Sequence, residues 1–368
     1  MTDSTAYIEK QADLNAACEA WRRSSFVVMD TEFIRRDTFY PIAGLIQVGV
    51  QGQVYLIDPL GIDDWGHFRT LLEDPAVVKV LHSCSEDLEV FDRLCGAIPS
   101  PLLDTQIGAG LAGVGEGLSY QKLVAHYLDI EVDKGETRSD WLQRPLTQSQ
   151  CHYAALDVEY LQRIYPMLRD RLASLGRLDW WQEDCERMIA QAKAPPLPEE
   201  YYLRNKSLWK LKGRQRLALK VVCAWREEEA RRRDMPRGRI FKEPVCFELA
   251  RCLPESRGEL SRIKDLSPGS IRRYGDTLIA LLDEVRDAPE NAIPAAGDRP
   301  LTSAQKADLA RLRQRGDDIA EQLAMPAGLL CRRRDLEALV REGQVPESMG
   351  MWRQSLLAEP LLAALEEE

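Results

Sequence analysis

The strand-forming segments of this 368-residue chain all precede its first proline-rich stretch, and that asymmetry restricts the fold more than any other feature. Four short apolar runs, FVVM (26–29), LIQVGV (45–50), VYLID (54–58) and VVKVL (77–81), alternate with helical patterns before residue 192. The first three lie close enough in sequence to pair as antiparallel hairpins, so an α/β domain with a mixed sheet is expected. Beyond AKAPPLPEE (192–200) the apolar spacing is helical, as in RQRLALKVVCAWREEEARRR, SIRRYGDTLIALLDEV and LTSAQKADLARLRQRGDDIAEQLAM. A second proline-rich stretch, DAPENAIPAAGDRP (287–300), divides this half into two bundles of similar size. The expected organisation is an α/β domain over 1–195, a helical bundle over 205–288 and another over 299–368.

Several classes are excluded at once. With 45% apolar and 29% charged residues the chain is neither disordered nor fibrous. The first thirty residues lack the basic start and apolar stretch of a signal peptide, and no apolar run approaches the roughly 18 residues that span a bilayer. A cytoplasmic protein with no membrane association is expected. The nine cysteines are odd in number, contain no Cys-x-x-Cys pair and are joined by only four histidines. Neither a disulfide framework nor a structural zinc site is indicated, and most of these thiols should be buried as small hydrophobes. The net charge of −10 is unevenly spread: 18 basic against 32 acidic side chains over 1–200, 21 against 14 over 201–290, and 10 against 13 over 291–368. A polyanion would be drawn to the middle segment. The acidic first segment needs another reason to gather carboxylates.

Asp-x-Glu occurs six times, so only context gives it meaning. Asp30 alone ends an apolar strand, FVVMDTEF, where alternation places Asp30 and Glu32 on one face. VVKVL runs into HSCSEDLEVFDRL, a helix capped near Ser83 or Ser85 that puts Asp87 in its first turn. In the long helix TQSQCHYAALDVEYLQRIYPMLRDRL, Tyr153 and Asp157 are four apart and share a face. Singly, each of these is commonplace on a solvated strand end or helix.

Together, strand Asp-x-Glu, helix Asp and Tyr-x-x-x-Asp in this order resemble the DEDD exonuclease superfamily, and within it the Tyr-type ribonuclease D family. DTEF, LIQVG, IDP, HSCSEDLEVF and YAALDVEYL carry the resemblance in the first domain. PRGRIF with ARCLPESRGEL, and MWRQSLLAEPLLAAL, resemble the paired helicase-and-ribonuclease-D C-terminal (HRDC) domains. The likeness covers nearly the whole chain. It implies an RNase H-like catalytic domain over 1–195 followed by HRDC bundles over 205–288 and 299–368, the first of them basic and RNA-binding. It also implies a metal-dependent 3'-5' exoribonuclease that acts on structured RNA 3' ends, tRNA precursors especially, and releases nucleoside 5'-monophosphates.

Four converging carboxylates repel by about 4 kcal/mol per close pair at an effective dielectric of 20, so they need cations. Two divalent ions, Mg2+ or Mn2+, balance four negative charges and prefer such hard oxygens. A pair of ions about 4 Å apart can activate water and stabilise the departing oxygen. By resemblance, Asp30 bridges both ions, Glu32 and Asp157 complete the shell of one, and Asp87 holds the other partly through water. Glu32 also contacts the terminal 3'-hydroxyl. A phenol with a pKa of about 10 is a poor base at neutral pH, so Tyr153 orients the attacking water.

Other branches of the superfamily use His-x-x-x-x-Asp, a spacing that His152 and Asp157 also satisfy. On a continuous helix Tyr153 lies about 40° around the axis from Asp157 and His152 about 140°, which favours Tyr153. GAGLAG (108–113) matches the dinucleotide template but follows LLDTQI, where Asp104 begins a helix, so its glycines should end that helix in a loop. No phosphate-binding Gly-x-x-x-x-Gly-Lys-[Ser/Thr] loop exists, which excludes a helicase motor. Arg35, Arg36 and Arg138 are weak candidates for substrate phosphates. Lys210, Lys212, Arg214, Arg216 and Lys220, near Trp209 and Trp225, suit single-stranded nucleic acid or a solvated helix face equally. Arg231 to Arg233 should be spent on Glu227 to Glu229. The same carboxylate set serves DNA exonucleases, and a non-catalytic RNA-binding adaptor or a nucleotide pyrophosphatase are the further alternatives. A monomer is expected.

Overall fold

A computed structural model describes residues 5–132, 135–136 and 139–366, so Arg138 lies outside the described residues. The chain divides into two compact units, one made of residues 1–34, 42–194 and 301–368 and the other of 35–41 and 195–300.

The first unit is built on a six-stranded mixed sheet of order β1-β4-β3-β2-β5-β6. Its strands are β1 (Thr5–Ile8), β2 (Phe26–Ile34), β3 (Ile42–Val50), β4 (Gln53–Ile57), β5 (Val78–Leu81) and β6 (Leu102–Asp104). The β2–β3 and β3–β4 pairs are the expected antiparallel hairpins, while β1 with β4, β2 with β5, and β5 with β6 run parallel. β1 and β6 carry no signal in the sequence. They are four and three residues long at the sheet edges, where brevity limits unwanted pairing.

Helices α1 (Gln11–Trp21), α2 (Gly66–Glu73) and α3 (Ser85–Cys95) cover one face through Leu14, Trp21, Phe68, Leu88 and Phe91. The other face is covered by α4 (Thr105–Leu111), α5 (Tyr120–Leu128), α6 (Gln148–Ser174) and α7 (Leu178–Lys193). α6 is the expected long helix, started by a reciprocal cap between Thr147 and Gln150. At Gly49 of β3 an added Cβ would stand 2.6 Å from the Gln162 side chain, so glycine lets α6 lie close across the sheet.

Two local expectations change. The cap of α3 is Cys84 rather than a serine: the Asp104 carboxylate takes the amides of Ser83 and Cys84, both at 3.0 Å, and holds Ser83 at a φ of 58°. Asp104 does begin α4, accepting from the Gln106 amide, but Gly108 and Gly110 lie inside that helix instead of ending it. A Cβ at Gly108 would meet the Trp181 ring at 2.8 Å, so the glycine serves packing.

The C-terminal helices α13 (Ser303–Gln322), α14 (Ala327–Leu330), α15 (Arg333–Glu342) and α16 (Met351–Glu366) complete this unit. Leu312, Leu339, Leu357 and Leu361 share one buried core with Ala109, Leu168 and Trp181. Arg353 forms a buried two-pronged ion pair with Asp184 of α7 at 2.6 and 2.7 Å, and Trp352 stacks on Trp180. Glu183 accepts the amides of Met351 and Trp352, capping α16 with negative charge.

The second unit packs α8 (Arg214–Arg232), α9 (Arg237–Ile240), α10 (Glu243–Cys252), α11 (Arg257–Leu260) and α12 (Pro268–Asp287) around Leu219, Val222, Leu249 and Leu278. Phe39 joins that core, under the Arg237 guanidinium at 4.7 Å, while Asp234 accepts the amides of Phe39 and Tyr40. As expected, Arg231 pairs with Glu227, and Arg232 and Arg233 with Glu229. Trp225 lies against Phe241 and Tyr274, so it is part of the bundle's packing rather than an open stacking face.

All nine cysteines are free and all but Cys252 are buried. Among the described residues no helix is long and apolar enough to cross a membrane.

Candidate active site

β2 pairs with β5 only through Val28, opposite Val80, so the segment carrying Asp30 and Glu32 continues past the end of its parallel neighbour. Ligands in α/β folds characteristically sit in such a crevice beyond the carboxyl ends of parallel strands. A register shift between Glu32 and Phe33 marks a bulge where the strand leaves the site. Alternation turns Asp30 and Glu32 toward α6 and Thr31 to the opposite face.

α6 supplies the third carboxylate. Oxygens of Asp30, Glu32 and Asp157 all lie within 4.8 Å of one another. Tyr153, one helical turn before Asp157, lines the same cavity, and its ring lies 6.3 Å from that of buried Trp141. His152 is exposed and does not line this cavity. Asp87 stands apart from the three-carboxylate group. It is buried in the first turn of α3, where the Thr31 hydroxyl donates to it around the strand. Five residues singled out in the sequence thus converge, four around one cavity and the fifth through a neighbour of two of them.

The electrostatics of this convergence are unfavourable. Burial, reinforced by Asp157, Asp87 and Glu32, holds the Asp30 carboxyl well above the ordinary range. Burial, with Asp157 and Asp87, pushes Glu32 up to about 9. Burial raises Asp157 to about 7 and Asp87 to about 6, the latter against the pull of the Thr31 hydroxyl. No cation stands among the leading influences on Asp30 or Glu32. Gln47, the cross-strand partner of Asp30, is fully buried with both amide atoms unpartnered. Clustered hard oxygens, beside an orphaned polar group, fit a divalent metal site that Asp30, Glu32 and Asp157 could hold.

Several contributors carry no sequence signal. His82, Tyr120 and Gln121 line the cavity. His82 Nε2–H donates to the Leu118 carbonyl and Nδ1 lies 3.0 Å from Thr105 Oγ1, while burial keeps the ring below its ordinary pKa. The Tyr120 hydroxyl donates to the Leu156 carbonyl. Arg144 pins the loop before α6 by pairing both prongs with Asp58, each at 2.6 Å, and donating to the Gly44 and Trp141 carbonyls. Only the tertiary fold brings these partners together, so local patterns could not have found them. Arg35, the weak phosphate candidate, donates to the Phe39 carbonyl in the second unit.

Residues 5–173 match the 3'-5' exonuclease family and residues 215–282 match the HRDC domain family. Ribonuclease D of Pseudomonas paraeruginosa is 44% identical over 366 residues, covering 98% of this chain and 97% of its own. Ribonuclease D of Escherichia coli is 36% identical, covering 96% of both chains. The crystal structure of Escherichia coli RNase D, described as an exoribonuclease involved in structured RNA processing, superposes with a TM-score of 0.92 at 35% identity over 98% of both chains. A carboxylate site of this geometry, with relatives alike over nearly the full length, makes the chain a member of the ribonuclease D family of 3'-5' exoribonucleases.

Proposed function

We propose that this protein removes nucleotides one at a time from the 3' ends of structured RNA, tRNA precursors among them, and releases nucleoside 5'-monophosphates. The observation that carries this reading is the convergence of Asp30, Glu32 and Asp157 within 4.8 Å, with Asp87 tied in through Thr31 and no cation among the leading influences on Asp30 or Glu32. When bound, two divalent ions, Mg2+ or Mn2+, supply the missing positive charge and the Lewis acidity for in-line displacement at phosphorus. Asp30, Glu32, Asp157 and Asp87 would hold these ions. Glu32 receives the terminal 3'-hydroxyl and so fixes where the chain end stops. The Tyr153 hydroxyl orients the attacking water, as in the Tyr-type branch; its seat in the cavity and the exposure of His152 support this role.

In the same reading the basic bundle over 205–288 is an HRDC domain that holds the RNA, and 299–368 is a second, more divergent one. The protein acts as a cytoplasmic monomer. The test is a time course on 5'-labelled single-stranded RNA, matched DNA and a tRNA with a 3' trailer, for the wild type and Asp30→Asn, with Mg2+, Mn2+ or EDTA. A descending ladder on RNA that EDTA and the substitution both abolish is the expected result. Intact RNA under every metal, with binding retained, would leave an RNA-binding adaptor instead.

A further inference from the structure

The cavity that holds the carboxylates has a second wall, contributed by His82, Tyr120 and Gln121. Two of these three are committed elsewhere. The imidazole of His82 is held between Thr105 and the Leu118 carbonyl, and the Tyr120 hydroxyl donates to the Leu156 carbonyl at 2.7 Å. Gln121, in the first turn of α5, is half-buried, and among the described residues no protein group partners its side-chain amide. It is therefore the uncommitted neutral hydrogen-bonding group on that wall, in a cavity that Asp30, Glu32, Tyr153 and Asp157 also line.

We propose that Gln121 is a specificity-determining residue that reads the 2'-hydroxyl of the RNA's terminal nucleotide. This rests on the exoribonuclease reading, because that reading places the terminal ribose against Glu32. The 2'-hydroxyl is bonded to the carbon next to the 3'-hydroxyl's and both donates and accepts. A carboxamide also donates and accepts, so it satisfies this group fully and adds no charge to an already overcrowded site. A 2'-deoxy end would leave the amide unpaired in a confined cavity, and that loss is the source of discrimination. Only a contact to the 2'-hydroxyl distinguishes RNA from DNA locally.

The experiment crosses a protein change with a substrate change, in the full-length enzyme with Mn2+. Wild type and Gln121→Leu are compared on two oligoribonucleotides identical except for a ribose or a 2'-deoxyribose at the 3'-terminal position, and first-nucleotide release is timed. Wild type should favour the ribose end by about tenfold in kcat/KM, and Gln121→Leu should abolish that preference. Gln121→Asn, with a shorter reach, should fall between. Equal losses on both ends would overturn the proposal, since they would signal a general packing role. A wild type without preference would overturn it too and leave the exonuclease reading intact. Failure of wild type to shorten either RNA would instead overturn the exonuclease reading.

Discussion

Asp30 shows how a single side chain can oppose folding and be retained for its chemistry. In the metal-free protein the cluster binds protons more tightly than the unfolded chain does, since Glu32 is raised to about 9 from an ordinary 4.5 and Asp30 lies well above its own range. Groups raised in this way favour the folded state fully only below their unfolded pKa, so stability drains away as pH climbs from about 4.5 toward 9. Thermal unfolding in EDTA between pH 5 and 9 should show a midpoint that falls with pH, and Asp30→Asn should flatten the fall while cutting exonuclease activity by about a thousandfold. A midpoint that rises with pH would contradict this picture. Strand alternation made the shared face of Asp30 and Glu32 legible in the sequence and the helical repeat that of Tyr153 and Asp157, while their role there came from the family resemblance. Gln121, Thr31 and Gln47 were not legible, because their significance depends on what stands across a cavity or a strand.

At the scale of elements, the strand carrying the site and the helix across from it follow from periodicity, and the two edge strands do not. Three or four residues are too few for a period to emerge, and neighbours alone fix them. The helix α3 starts where expected, but its capping residue differs for a related reason. A serine is the usual cap, yet here a carboxylate twenty residues further on takes the amides of Ser83 and Cys84 and also that of Gln106. Asp104 consequently holds the turn from which Asp87 projects. Replacing Asp104 with alanine leaves three amides without their acceptor and should lower the unfolding free energy by about 3 kcal/mol, read from the urea midpoint. Asp104→Asn, which keeps one acceptor oxygen, should lose less.

Over the whole molecule, the proline-rich stretches say nothing of which core each segment enters. Residues 301–368 complete the core of the α/β unit, and residues 35–41, which interrupt it between β2 and β3, enter the basic bundle instead. The buried Asp184–Arg353 pair is the most demanding of the links within the first unit. Removing one partner strands a charge in the core, so Asp184→Ala should cost about 3–5 kcal/mol in chemical denaturation, with Arg353→Met costing less than Arg353→Glu. The same architecture sets a timetable for synthesis. The sheet and its first helices leave the ribosome early, but Leu357 and Leu361, which seal their core, follow the end of α7 by more than 160 residues. At about 5–20 residues per second the nascent nuclease domain waits roughly 10–30 s, with apolar surface uncovered, for its own last helix.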